Sequence, residues 1–232
     1  MSRIISIQVG LPRTLGDESA ADPMDRLWTS SFFKSPVAGS VYVGKTNIAG
    51  DAQADLVHHG GVDKAILAYS ADHYPQWHEE LQISDLPYGA FGENLSIAGL
   101  AEDGVCIGDV WEMGDVRVEV SQPRQPCWKL ARHWRIKNLA AQVEQNGRTG
   151  WYFRVLAEGT IAAGQPIVLR QRRHPEWTVA RANDLMHRRK HDRVLAAELA
   201  GLPELSASWQ KTLRQRAEEG REPDVRLRRE GP

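Results

Sequence analysis

The stretch VEVSQPRQPCWKL, Val118 to Leu130, decides how the rest of the chain is read. Val118 and Val120 alternate as in a half-buried strand. Pro123 and Pro126 then each fix φ and remove an N–H, and CWKLARHW opens a helix-forming pattern. A strand halted so firmly and turned into a helix presents its cysteine, Cys127, at a defined point of a β-rich body. A thiol near a helix N-terminus, with Arg124 three residues upstream, has its thiolate favoured. Thiolates act as nucleophiles or as ligands to soft metals. A buried cysteine serving as a small apolar side chain is the plainer reading, and the residues alone leave both open. Cys106, in DGVCIGD, has no such context and reads as core.

Working outward, the first part of the chain reads as many short strands separated by turns. Ile5, Ile7 and Val9 alternate, as do Val41 and Val43; AILAY (Ala65–Tyr69) is a fully apolar strand. Asn94–Ile97 follows, and Gly108–Met113 and Val116–Val120 flank Gly114-Asp115, a hairpin turn. YFRVLAEG and PIVLRQR supply two more strands. Helices are expected over Ser70–Leu81, capped by Ser70, and over Ile136–Gln145, closed by Asn146-Gly147. The fold class is therefore mainly β with peripheral helices, a β-barrel or barrel-like sandwich. After Pro175 the pattern turns helical: Thr178 to about Arg189, His191–Ala200, and a third helix from Ser206 or Ser208 towards Glu219-Gly220. This predicts a β domain over 1–172 and a three-helix module over 173–232, with a frayed charged tail beyond Gly220.

The net charge of −1 divides unevenly. Residues 1–169 hold 14 Lys/Arg against 20 Asp/Glu, and residues 170–232 hold 15 against 10. Those 10 acidic residues favour a solvated helical surface over a nucleic-acid face. No apolar run is long enough for a membrane span, and MSRIISIQVG lacks the features of a secretory signal. Two cysteines in 232 residues make no disulfide framework, which suits a reducing cytoplasm. Of the eight tryptophans, Trp128, Trp151 and Trp209 are candidates for a groove or a homodimer contact, with core packing the default.

Three more constellations carry chemistry. In DLVHHGGVDKAI, Gly60 and Gly61 after His59 let backbone N–H groups approach an anion, and Lys64 stands at the mouth of the buried strand. Neighbouring His58 and His59 point to opposite sides of an extended segment, and His73 and His78 are poorly spaced, so no zinc site is expected. GAFGENLSI places Glu93 and Asn94 at a strand entrance, where they orient a ligand or lock a turn. Lys34 in FFKSP stands at another strand entrance, and Arg154 in WYFRV sits within a strand.

GD.QAD (Gly50, Asp51, Gln53–Asp55), HGG (His59–Gly61), GENL (Gly92–Leu95) and SQPR.PC.KL (Ser121–Leu130), in this order, resemble the MOSC domain, the C-terminal domain of molybdenum cofactor sulfurases. The arrangement is most similar to the YiiM-like group, in which a MOSC β-barrel precedes a small three-helix module; the motif-bearing part covers about 28–170. The resemblance implies that the barrel holds the molybdenum cofactor (molybdopterin), with Cys127 as thiolate ligand to molybdenum at the barrel mouth. Lys34, His59, Gly60, Gly61, Lys64, Arg124 and Arg154 become candidates for the pterin phosphate, and Glu93 and Asn94 for its heterocycle. The implied activity is reduction of N-hydroxylated compounds such as 6-hydroxylaminopurine, with His59 as the acid. Two cysteines cannot form a Cys₄ iron–sulfur site, so the electrons would come from a separate reductase. Two rival readings use the same thiolate: a sulfur carrier with a Cys127 persulfide, and a cofactor carrier without turnover.

Overall fold

The computed structural model describes residues 1–56 and 58–231. Its strands are Arg3–Val9 (β1), Arg13–Leu15 (β2), Trp28–Ser30 (β3), Ser35–Pro36 (β4), Ser40–Val43 (β5), Ile66–Ser70 (β6), Leu95–Ala98 (β7), Val110–Met113 (β8), Val116–Pro123 (β9), Trp151–Ala157 (β10), Gly159–Ala162 (β11) and Val168–Gln171 (β12). Its helices are Tyr74–Leu81 (α1), Trp128–Trp134 (α2), Leu139–Asn146 (α3), Val179–His187 (α4), Arg193–Ala200 (α5), Ala207–Glu219 (α6) and Arg226–Glu230 (α7). Eight strands form one curled sheet in the order β12-β8-β9-β10-β6-β7-β1-β4, a half-barrel. The β5–β11 ribbon lies over its inner face and sends Val41, Val43 and Ile161 into the same core. Among the described residues, no helix is long and apolar enough to cross a membrane.

The apolar strand β6 sits at the centre because both of its faces are covered. Ile66 and Ala68 enter the main core, while Tyr69 enters a second apolar cluster with Phe91, Trp77, Leu130 and Val143. Alternation therefore assigns the two faces of the sheet. On β10, Trp151, Phe153 and Val155 point into the core and leave Tyr152 and Arg154 on the other face. The second cluster seats α1, α2 and α3 on that outer face, and it fixes where α2 begins. β6 and β7 are parallel, and the 3₁₀ turn Ala71–His73 and α1 make the crossover between them.

Several expectations hold. Gly114 at φ +56 turns β8 into β9, with Met113 opposite Val116. Thr178 caps α4 by accepting from Arg181 N–H, and Gly147 closes α3 in the left-handed region. Others are corrected. Ser70 caps nothing: it is the fully buried, extended end of β6, and the chain passes through a 3₁₀ turn before α1. A bulge between Ile4 and Ser6 breaks the Ile5-Ile7-Val9 alternation, so Ile4 and Ile7 are the core residues. Trp151 and Trp209 are buried in the main core, the default expected for them.

The three C-terminal helices share that core. Trp177, Leu185, Leu199, Trp209 and Leu213 belong to the same cluster as Val118 and Phe153. Each such side chain, fully buried, contributes about 1.5–3 kcal/mol, so α4–α6 are packed on the half-barrel and not tethered to it. The tail beyond Gly220, expected to fray, forms α7 and returns to α2.

Candidate functional site

Five segments distant in sequence meet on the outer face of the sheet. They are Ser30–Lys34 after β3, the loop 51–64 before β6, the turn 91–94 before β7, the β9–α2 junction 124–129, and Tyr152 on β10. They line a cleft that is open to solvent. The cleft lies on the face opposite the main core, not at a barrel mouth. At its wall, Gly92 at φ +78 allows a close approach: a Cβ there would come within 2.9 Å of the Phe32 ring.

Cys127 is the N-cap residue of α2, with extended backbone (φ −122°, ψ 168°), and its side chain makes no capping bond. The thiol is thereby left facing the cleft, and the burial of Leu130 one turn on fixes the helix that carries it. Burial raises the thiol's pKa. The His59 imidazole beside it, the Arg124 charge and the Lys129 backbone N–H outweigh burial and bring it down to about 7. Cys106, buried near Asp109, is pushed up to about 11. The two thiols are thus shifted in opposite directions, Cys127 down and Cys106 up.

His59 stands between Cys127 and Asp55, whose Oδ2 lies 3.5 Å from His59 Nδ1. Burial raises the Asp55 carboxyl, but bonds from the His58 N–H and ring, together with the charges of both histidines, hold it at about 2. Asp55, His59 and Cys127 thus lie in line, carboxylate to imidazole to thiol. HGG therefore contributes through His59. Gly60 and Gly61 do not line the cleft; Gly61 at φ +95 starts the 3₁₀ turn that brings Lys64 to it. Lys64 Nζ bonds His58 O at 2.6 Å, and burial lowers its pKa.

Lys34 is buried and ion-paired with Asp51, and burial lowers its pKa against the pull of that carboxylate. Asp51 also accepts from Gly10 N–H at 2.8 Å and from Asn94 Nδ2 at 2.9 Å. Asn94 in turn accepts from Leu67 N–H at 3.1 Å and donates to Gln8 O at 3.2 Å. Lys34, Asp51 and Asn94 form one cross-linked wall joining β1, β6 and β7. Arg124 is 5% exposed; its Nη2 donates to Phe91 O at 3.1 Å, while its Nη1 is buried with no partner among the described residues.

Two expected ligand contacts are corrected. Glu93 is fully buried outside the cleft lining, and its oxygens accept from Tyr74 Oη, Gly89 N–H, Phe91 N–H and Ser96 Oγ. It holds the 89–96 turn and has no capacity left for a heterocycle. Arg154 is also outside the cleft: it donates to Asp63 Oδ1 at 2.6 Å and to Glu119 Oε2 at 2.6 Å. It anchors the 3₁₀ turn below Lys64 to the sheet.

Sequence reasoning missed Asp51, Asp55, Lys129 and Tyr152. Asp51 and Asp55 stand inside a motif that was read whole, and Lys129 is placed only by the helical turn after Cys127. Tyr152 shares a face with Arg154 by strand alternation, but the tyrosine is the one that reaches the cleft. Burial pushes its phenol up to about 12 even with Arg124 nearby, so it stays protonated.

The donor set bears on what could bind. Among the described residues, no three His, Cys, Asp or Glu side chains converge as a metal site. A single soft thiolate surrounded by Lys34, Lys64, Arg124 and Lys129 suits a metal that arrives with its other ligands on an anionic carrier. The unpartnered Arg124 Nη1 is consistent with such an anion.

A family model described as MOSC domain matches residues 55–168, and one described as YiiM-like, 3-alpha helix domain matches residues 177–220. The chain is 40% identical over 206 residues to the uncharacterized protein YflK of Bacillus subtilis (strain 168), covering 89% of this chain and 90% of that protein. It is 37% identical over 178 residues to a Gibberella moniliformis (strain M3125 / FGSC 7600) protein named reductase, covering 75% of this chain and 32% of that longer protein. The crystal structure of YiiM from Geobacillus stearothermophilus matches with a TM-score of 0.77 at 39% identity, covering 94% of this chain and 100% of that one.

Proposed function

The chain belongs to the MOSC domain family, and on that premise we propose that it is a molybdenum-cofactor-dependent reductase of N-hydroxylated compounds. The substrate class includes 6-hydroxylaminopurine and related base analogues. Each turnover takes an N–OH compound, two electrons from a separate reductase and two protons to an amine and water. The observation that carries the reading is Cys127: a buried thiol, ionised near neutrality, in a cation-rich cleft. The relative named reductase supports a redox reading over a carrier.

The bound cofactor would supply the two-electron chemistry. The chain's own residues bind, orient and handle protons. Cys127 provides the protein thiolate ligand. Arg124, Lys64 and Lys129 meet the anionic part of the cofactor, and Lys34 contributes through its buried pair with Asp51. Tyr152 lines the cleft with its phenol kept protonated by burial, so it is available as a hydrogen-bond donor. His59, between Asp55 and the sulfur, is the side chain placed to pass a proton to the departing oxygen.

The test is molybdenum analysis of protein made in a cofactor-producing host, followed by amine formation from 6-hydroxylaminopurine with a chemical electron donor. Near-stoichiometric molybdenum and turnover are expected in the wild type and in Cys106→Ala, with both lost in Cys127→Ala. Equal losses in the two variants would refute the special role of Cys127. A metal-free protein carrying a persulfide on Cys127 would replace the reductase by a sulfur carrier.

A further inference from the structure

The tail after α6 makes contacts that its composition does not explain. Helix α7 is five residues long, RLRRE, and buries none of them. A helix this short has no stability of its own, so its contacts hold it. Arg228 donates from Nη1 to Pro126 O at 2.5 Å and also pairs with Glu144. Arg229 Nη2 lies 2.5 Å from the other Glu144 oxygen. Gly231 packs on the Trp128 ring so closely that a Cβ would come within 2.9 Å of it. The tail therefore touches the residue on each side of Cys127. Its anchor, Glu144, sits on α3 with its side chain only 3% exposed, and His187 Nδ1 approaches it at 3.9 Å. Arg228 is the bridge between that buried carboxylate and the carbonyl immediately before the thiol.

We propose that the C-terminal tail is a latch on the site: Arg228, fixed by Glu144, is a positioning residue that holds the Pro126–Trp128 segment and limits access to Cys127. The inference rests on Cys127 being the reactive group of the cleft, and not on which reaction that group serves. On its other side Trp128 is held by Arg132, whose guanidinium lies 4.4 Å from the ring centroid and donates to Pro23 O and Arg26 O; among the described residues, Arg228 is the side chain that ties the Pro126 carbonyl. Losing one charge-assisted hydrogen bond to a backbone carbonyl frees the segment to open about tenfold more often.

The test reads the thiol directly, without metal or substrate. Protein is made in a host unable to produce the molybdenum cofactor, so that Cys127 is free in every variant. Iodoacetamide labelling of Cys127 is followed by mass spectrometry at pH 9.5, where the thiol is ionised throughout and the rate reports access. Arg228→Ala, and a chain ended at Gly220, are expected to label about tenfold faster than the wild type. Arg228→Lys should fall between them and the wild type. Arg226→Ala, which removes a charge from the same helix but whose partner among the described residues is Asp224, should label at the wild-type rate. Labelling of core Cys106 should stay negligible in all of them, separating local release from global unfolding. Rates for Arg228→Ala and the shortened chain equal to or below the wild type would overturn the latch. So would a rise matched at Cys106. Neither result bears on molybdenum content, so the latch and the reductase reading fail separately.

Discussion

Replacing His59 by Ala tests the electrostatic account of the site most directly. The Cys127 thiol falls from an ordinary 9.0 to about 7 although burial works the other way. Two units correspond to about 3 kcal/mol of net preference for the thiolate. The stabilising groups supply that amount together with whatever burial takes away, and His59 is the foremost of them, through both its hydrogen bond and its charge. In His59→Ala only the Arg124 charge and the Lys129 N–H remain to oppose burial, so the midpoint should return to about 9 or above. At pH 7 the ionised fraction then drops from about one half to about one per cent. Alkylation at pH 7 should slow by less than that, roughly 5–10-fold, because a more basic thiolate is intrinsically more nucleophilic. The midpoint is therefore the sharper readout: thiolate absorbance at 240 nm against pH, in a Cys106→Ala background. A midpoint still near 7 would refute the reasoning and transfer the effect to Arg124 and the helix N-terminus.

The same shift makes stability depend on pH. Because the native thiol ionises below the unfolded one, the unfolded state binds more protons between about pH 7 and 9, and stability rises with pH across that window. Urea unfolding of the metal-free wild type should gain about 2 kcal/mol from pH 7 to 9 relative to Cys127→Ser, and parallel profiles would contradict the shift. Glu93→Ala should lower stability by about 3 kcal/mol or more, since four buried donors lose their acceptor. The molybdenum bound per folded molecule should be unchanged; a folded Glu93→Ala protein that cannot bind would return Glu93 to the ligand set. Arg154→Met should cost about 1–3 kcal/mol in denaturant melts through Asp63 and Glu119 while cofactor content persists.

Most element types, and the cysteine singled out by its context, were legible along the chain alone. Val118 and Val120 read as a strand, Gly114 as its turn and Thr178 as a cap, because those signals are local: period, positive φ and a side chain within three residues of the N–H it serves. The contrast between Cys127 and Cys106 was legible for the same reason, since prolines, an arginine and a helix start act within a few residues. What only the tertiary structure decided depends on which groups meet across the sheet. Glu93 and Arg154 looked like ligands but face donors and acids brought from Tyr74, Ser96, Asp63 and Glu119. Tyr152 and Asp51 reach the cleft because of strand register and a buried ion pair. The charged tail could not be read as structured, because α7 has no apolar face and is held by Glu144, Pro126 O and the Trp128 ring, all more than 80 residues away along the chain. Propensity and spacing act over one or two turns of chain, while burial and charge pairing are settled only once the chain has folded back on itself.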